Sequence, residues 1–255
     1  AGPAFLGLFN KAESLHRLPD WMFAQPVAQP VFRAMSKVQD DLDQTKYMFY
    51  RVITLLMVYI LPFYVGLTWV AEPFIEVVYG EKWVDAGEPL GILAMAGLFY
   101  IISRPCGMVL MAQNRLVQEM IAQAAILAFT IAACLIGLEW GLKGVSWGFL
   151  ISQIFGTICF YVLVHRTLPT RLSDLFTALA PGLQLNALLF LALALTNFLS
   201  GDLRATAPAL YLLLMFTTGS LCYMAAFLLL PIQALRTEVT RWRQKISTGL
   251  GYVNR

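Results

Sequence analysis

Arg104 and Pro105 stand side by side in "YIISRPCGMVLMAQN", residues 100–114, with no acidic residue near them in sequence. A guanidinium is a rigid fork of donors that suits phosphate oxygens. A proline in a helix leaves one backbone carbonyl without its donor. Both are costly in so apolar a run, so polar surroundings must come from elsewhere in the chain. Gln25, Gln29 and Arg33 follow one another at i, i+4 spacing and share one helix face. Gln113, Gln123 and Gln153 sit in or beside other apolar runs. Each amide can hydrogen-bond a hydroxyl or tie two helices together. Asp20 and Glu119 are the acids placed to attract a cation or take part in ion coupling, both near segment ends. No His-rich cluster occurs, and His16 and His165 belong to opposite ends of their segments. Catalysis needs convergent acid/base or metal-holding groups, so neither an enzyme, a metal site nor a cofactor is expected. The pattern offers nothing to nucleic acid.

The elements that carry these residues follow from composition. The chain has 255 residues, 59% hydrophobic and 13% charged, with a mean hydropathy of +0.68. Soluble domains are nearer half apolar and a quarter charged, and a single soluble core cannot hide this excess. An all-α polytopic membrane bundle of about seven crossings is predicted. A crossing takes about 20 predominantly apolar residues, and 47–71, 89–113, 116–138, 144–165, 178–200 and 206–231 qualify. A seventh, 12–37, is more polar. Barrel strands would alternate over about 10 residues, which these runs do not do. Cys106, Cys134, Cys159 and Cys222 all fall in apolar runs without Cys-x-x-Cys spacing, as small hydrophobes do.

Charge supplies an orientation. With 12–37 as a crossing, Arg33, Lys37, Lys46 and Arg51 fall on one side together with Arg115, Arg166 and Arg171. The tail adds Arg236, Arg241, Arg243, Lys245 and Arg255. The opposite set is Lys11, Arg17, Lys82, Lys143 and Arg204. The Lys/Arg excess puts the first side and the C-terminus in the cytoplasm and residue 1 outside. "AGPAFLGLFN" carries no basic leader, so earlier helices are expected to precede it.

Segment 12–37 is interrupted by Pro19, Pro26 and Pro30. Such breaks survive at membrane depth where protein or a water-filled cavity satisfies the freed carbonyls. A cavity-lining helix is the expectation, a re-entrant or surface helix the alternative. Tyr79 and Trp83 around "GEK" read as headgroup anchors. "GLEWGLKGVSWG" reads as a tight external turn leading into a closely packed helix. After Pro231, Ile232, Leu235, Val239, Trp242 and Ile246 recur at three-four spacing between cations. That is the pattern of an interfacial helix for anionic headgroups.

"LGLFNKAESL", "VFRAMSKVQDD", "YGEKW", "RPCGMVLMAQNR" and "KGVSWGFLISQI" together resemble the polysaccharide flippases of the Wzx type, nearest the colanic-acid branch. These belong to the superfamily that also holds the multidrug exporters known as MATE proteins and the lipid II flippase. The matching residues run from 6 to about 175, and beyond them the likeness rests on a two-helix-plus-basic-tail pattern. The resemblance implies two helical lobes rocking about a central cavity, with residues 1–175 as part of the second lobe. Residues 176–231 would be a terminal transmembrane helix pair and 232–255 a basic cytoplasmic tail. It further implies an undecaprenyl-diphosphate type of lipid-linked oligosaccharide as substrate, carried from the cytoplasmic to the outer leaflet of a bacterial inner membrane. The first lobe of the same protein would be the partner. Pro105 and Gly107 match the family pattern. Arg104 and Arg33 depart from it, the family often having an uncharged residue and a proline there.

Transport of a diphosphate and a hydrated glycan needs cations or strong donors on a wet passage, with amides and aromatics for the sugars. Arg104 lies about 15 Å from the segment end at Asn114 by the helical rise. Facing lipid there would cost about 2.5–3.5 kcal/mol, so it should face inward. It is a substrate-contacting candidate with Gln25, Gln29, Arg33, Gln113, Gln123 and Gln153. Its other readings are a bond to carbonyls freed by Pro105 and a pair with Asp20 across the bundle. Pro26, Pro30, Pro105 and Gly107 are the helix-break or gating candidates. The competing function is an ion-coupled exporter of small amphipathic cations, which would need buried acids; Asp20 and Glu119 are the ones on offer.

Overall fold

The computed structural model describes residues 2–232, 235, 236, 238–240 and 242, all statements below being made of these. Asp41 is extended and its carboxylate accepts the Gln44 amide at 2.9 Å, satisfying a donor that a helix start leaves free. From this cap α3 (Leu42–Tyr59) and α4 (Leu61–Tyr79) run on as one apolar stretch of 38 residues. The stretch is interrupted at Ile60, where Pro62 has no N–H for the Val58 carbonyl. It is about 57 Å long at the helical rise, nearly twice a hydrocarbon core. It therefore extends beyond both ends of the crossing expected at 47–71.

Three other stretches are long and apolar enough to cross a membrane: Leu116–Thr167, Leu172–Leu199 and Pro208–Leu229. The first is a hairpin of α7 (Leu116–Gly137) and α8 (Gly141–Thr167) around a 3-10 turn, Leu138–Trp140. Thr130 bonds Ser152 at 2.8 Å, and Gly148 and Gly144 lie against Ala133 and Gly137, so the arms are antiparallel. Gly141 closes the turn at φ +69°, a conformation a side chain would strain. The arms coincide with the apolar runs 116–138 and 144–165. α9 (Leu172–Leu199) and α11 (Pro208–Leu229), linked through the short α10 (Leu203–Thr206), are the terminal pair.

Two of the segments read as crossings are not straight helices. α5 (Gly87–Met95) and α6 (Gly97–Ala112) are bent by 48° about Ala96, so the expected 89–113 helix is a fifth crossing only if the pair is one span. Gly97 lies so close to the Tyr64 ring of α4 that a Cβ would collide with it. Segment 12–37 is not a continuous apolar helix. It takes in the end of α1 (Pro3–His16), a π-turn over Asp20–Ala24 and α2 (Gln25–Lys37). Pro19 precedes the π-turn and Pro26 follows it, and the Gln25 amide reaches back to the Asp20 carbonyl. Such π-turns mark places where the regular ladder has been disturbed.

The core forms where α3, α6 and the end of α8 meet, around Phe49, Ile53, Met57, Cys106, Val109, Leu110 and Val164. α9 braces this core from α3, and α11 packs on α9 and α4. Thr54 donates to the Ala178 carbonyl at 2.9 Å and Asn186 to the Met57 carbonyl at 3.1 Å. Tyr223 donates to the Val58 carbonyl that Pro62 leaves without a helical donor. Within the expected lipid-facing tail, Leu235 is instead buried beside Val58, Leu185 and Phe227. Arg51 pairs with Glu238, and Trp242 donates to the Tyr59 hydroxyl at 3.2 Å. Arg241, Arg243, Lys245, Ile246 and Arg255 lie outside the described residues.

Candidate functional site

The broken first segment, α4, α6 and α8 enclose a cleft of about 460 Å³. Its wall holds Trp21, Tyr64, Tyr100 and Phe149 as rings and Gln25 and Gln153 as amides. Glu13, Ser14, His16, Arg17, Leu18 and Asp20 complete it from α1 and the turns that follow. The break explains why one segment contributes so much. His16 and Asp20, like Arg17 and Trp21, are four apart and share a face in any helix, and the π-turn brings Gln25, five residues after Asp20, back onto it.

Arg104 meets the cleft through Asp20 and Tyr100. Its Nη1 donates to Asp20 Oδ2 at 2.9 Å and to the Tyr100 hydroxyl at 2.5 Å. That hydroxyl in turn donates to Asp20 Oδ2 at 3.2 Å. The acid that 100–114 lacks locally is therefore supplied from 84 positions upstream. Asp20 is 6% exposed and the Arg104 side chain 20%, so the ion pair lies largely out of water. A pair in such surroundings needs its remaining lone pairs and protons satisfied as well. Here Asp20 Oδ1 and Arg104 Nε are buried without a partner, as is His16 Nδ1 beside them.

The other expected residues divide by position. Gln25 and Gln153 line the cleft. Gln29 and Arg33 continue the Gln25 face along α2, exposed and outside the cleft lining. Gln113 donates to the Gln39 carbonyl at 2.8 Å, tying the end of α6 to the turn after α2. Gln123 is exposed on α7. Pro26 opens α2 and Pro30 lies within it. Pro105 is buried inside α6, eight residues past Gly97 where that helix starts after the bend. Gly107 faces the carboxylate of Glu119, whose Oε1 would stand 3.4 Å from a Cβ there.

Sequence reasoning did not find Tyr64, Tyr100, Trp21 and Phe149. Tyr100 had a usable signal, since it precedes Arg104 by one helical turn. Trp21 follows Asp20 directly. Tyr64 and Phe149 come from helices whose approach only the fold determines.

A second hollow, of about 420 Å³, lies between the starts of α3 and α9, lined by Asp43, Lys46, Pro169, Thr170, Arg171 and Asp174. Lys46 and Asp174 pair across it at 2.6 Å, and Tyr50 and Tyr161 both donate to the Arg171 carbonyl at 3.2 Å. Its charges are matched and its walls are tied, which suits a fastening between helices.

Residues 1–88 match the family model described as "Polysaccharide biosynthesis protein". The lipopolysaccharide biosynthesis protein WzxC of Escherichia coli (strain K12) is 29% identical over 166 residues, 65% of this chain and 34% of that protein. The teichuronic acid biosynthesis protein TuaB of Bacillus subtilis (strain 168) is 24% identical over 224 residues, 88% of this chain and 46% of that protein. Among solved structures, the lipid II flippase MurJ in an inward closed conformation matches with a TM-score of 0.69. That match covers 86% of this chain and 46% of that one at 20% identity. The chain thus spans between about a third and about half the length of the proteins it matches. The likeness carried by the sequence motifs is present in these comparisons: this multi-pass membrane chain is similar to polysaccharide biosynthesis proteins of the Wzx type and has the fold of part of a lipid II flippase.

Proposed function

We propose that the chain forms one lobe of an alternating-access flippase for polyprenyl-diphosphate-linked oligosaccharide. The substrate would move from the cytoplasmic to the outer leaflet of a bacterial inner membrane. The observation that carries this reading is the cleft: aromatic rings and amides on its wall with a largely buried cation bonded behind two of its lining residues, beside helices apolar enough to cross a membrane. Rings and amides suit a hydrated glycan, and a guanidinium suits the diphosphate. Gln25 and Gln153 would meet sugar hydroxyls, while Arg104 would serve the diphosphate. Gln29 and Arg33 would extend the glycan path along α2. Pro26, Pro30 and the bend before α6 provide places where the lobe can flex. Glu119, against Gly107, is the acid left for ion coupling. The remaining lobe would come from the same protein, and residue 1 would lie on the periplasmic side.

The exporter of amphipathic cations has one observation in its favour, the buried Asp20. The guanidinium beside it weakens that reading, because a cationic substrate would have to compete with Arg104. The deciding experiment measures flipping of a lipid-linked oligosaccharide in proteoliposomes. Replacing Arg104 by Gln should reduce the rate at least about tenfold, the scale of a lost charge-assisted bond, with membrane insertion retained. Undiminished flipping would remove Arg104 from the mechanism.

A further inference from the structure

Asp20 and Arg104 form a half-made pair. A guanidinium and a carboxylate that are well matched join through two parallel bonds. Here one nitrogen meets one oxygen at 2.9 Å, and the second atom of each group, Nε and Oδ1, is buried without a partner. Nothing about distance in the chain enforces this, since the groups belong to different segments. The carboxylate rides on the π-turn between α1 and α2, with prolines on either side, and it lines the cleft. The guanidinium stands on a continuous stretch of α6. One member of the pair is thus on a disturbed element facing the hollow, the other on a regular one.

We propose that Asp20 is an internal counter-anion which the diphosphate of an incoming substrate displaces from Arg104. A diphosphate offers several oxygens where the carboxylate engages with one, so it can meet more of the guanidinium's donors, the unpartnered Nε among them, than Asp20 does. The Tyr100 hydroxyl, which now bonds both groups, is placed to stay with the guanidinium as the carboxylate leaves. Asp20 is then a threshold: it keeps the guanidinium neutralised in an empty cleft and is given up only to a ligand that binds the fork more fully. The inference rests on the proposed reading of the cleft as the substrate site.

The test uses purified protein in detergent, with inorganic pyrophosphate and farnesyl diphosphate as probes measured by calorimetry. Asp20→Asn keeps the shape and removes the competing charge, so both probes should bind about tenfold more tightly than to the unsubstituted protein. Arg104→Gln and the double variant Asp20→Asn/Arg104→Gln should lose binding; the double variant leaves no buried charge unpaired. If Asp20→Asn binds equally or more weakly while Arg104→Gln loses binding, displacement is overturned and the anion site stands. If Arg104→Gln binds as the unsubstituted protein does, both readings fall. A measurement without substitution is hydrogen exchange over residues 17–25, which should quicken when pyrophosphate binds as the π-turn loses its tie. Slower or unchanged exchange there would also overturn the displacement.

Discussion

Arg104 shows how far single side chains can be read. Its inward orientation follows from the cost of a guanidinium facing lipid, and Asp20 was one of two structural partners open to it. The choice between Asp20 and a freed carbonyl was not legible, because it depends on where the π-turn places residue 20. Tyr100 should matter nearly as much as the charges. Tyr100→Phe removes the hydroxyl that bonds both members of the pair and should cost about 1 kcal/mol of stability, seen as a lower unfolding temperature in detergent. The six glutamine and arginine candidates around Arg104 separate by geometry. Gln153→Leu should slow glycan flipping severalfold, since Gln153 lines the cleft. Gln123→Leu should leave flipping unchanged, because Gln123 is exposed on α7. Equal effects of the two would mean that the cleft is not the glycan path.

At the scale of elements, apolar runs located the helices and prolines located the disturbance in 12–37. Periodicity could not tell a break from a bend. The 89–113 run is apolar throughout its first half, yet it turns by 48° at Ala96, where Gly97 meets the Tyr64 ring. Pro105, the residue that invites a break, lies inside a continuous helix. The cause is tertiary: close approach to α4 requires a glycine, and no local signal records which ring will arrive there. Gly97→Leu should therefore overpack this contact and cost about 1–3 kcal/mol, readable as a lower unfolding temperature. The interruption at Ile60 has a different support. Asn186 and Tyr223 hold the carbonyls of Met57 and Val58, so the terminal pair fixes a break in α3–α4 that begins with Pro62. Tyr223→Phe should leave the Val58 carbonyl unserved and quicken hydrogen exchange at residues 57–63. Unaltered exchange would show that the terminal pair does not hold this break.

For the whole molecule, composition alone established a multi-pass helical membrane protein, and four or five stretches of helix bear that character. The orientation rests on the Lys/Arg bias and is open to a direct check. In a variant lacking the four native cysteines, Glu81→Cys should react with a membrane-impermeant maleimide in intact cells. Asp43→Cys should react only after permeabilisation. The reverse pattern would invert the lobe. What composition could not show is how the helices share their work, since burial, bends and ion pairs all depend on neighbours distant in sequence.

Tyr64 joins two of these features. Its ring is part of the cleft wall and is also the surface on which Gly97 rests at the elbow between α5 and α6. A wedge that is also a wall cannot be pushed from one side alone. An occupant that tilts this ring should therefore alter the angle between α5 and α6, which ties the filling of the hollow to the position of α5.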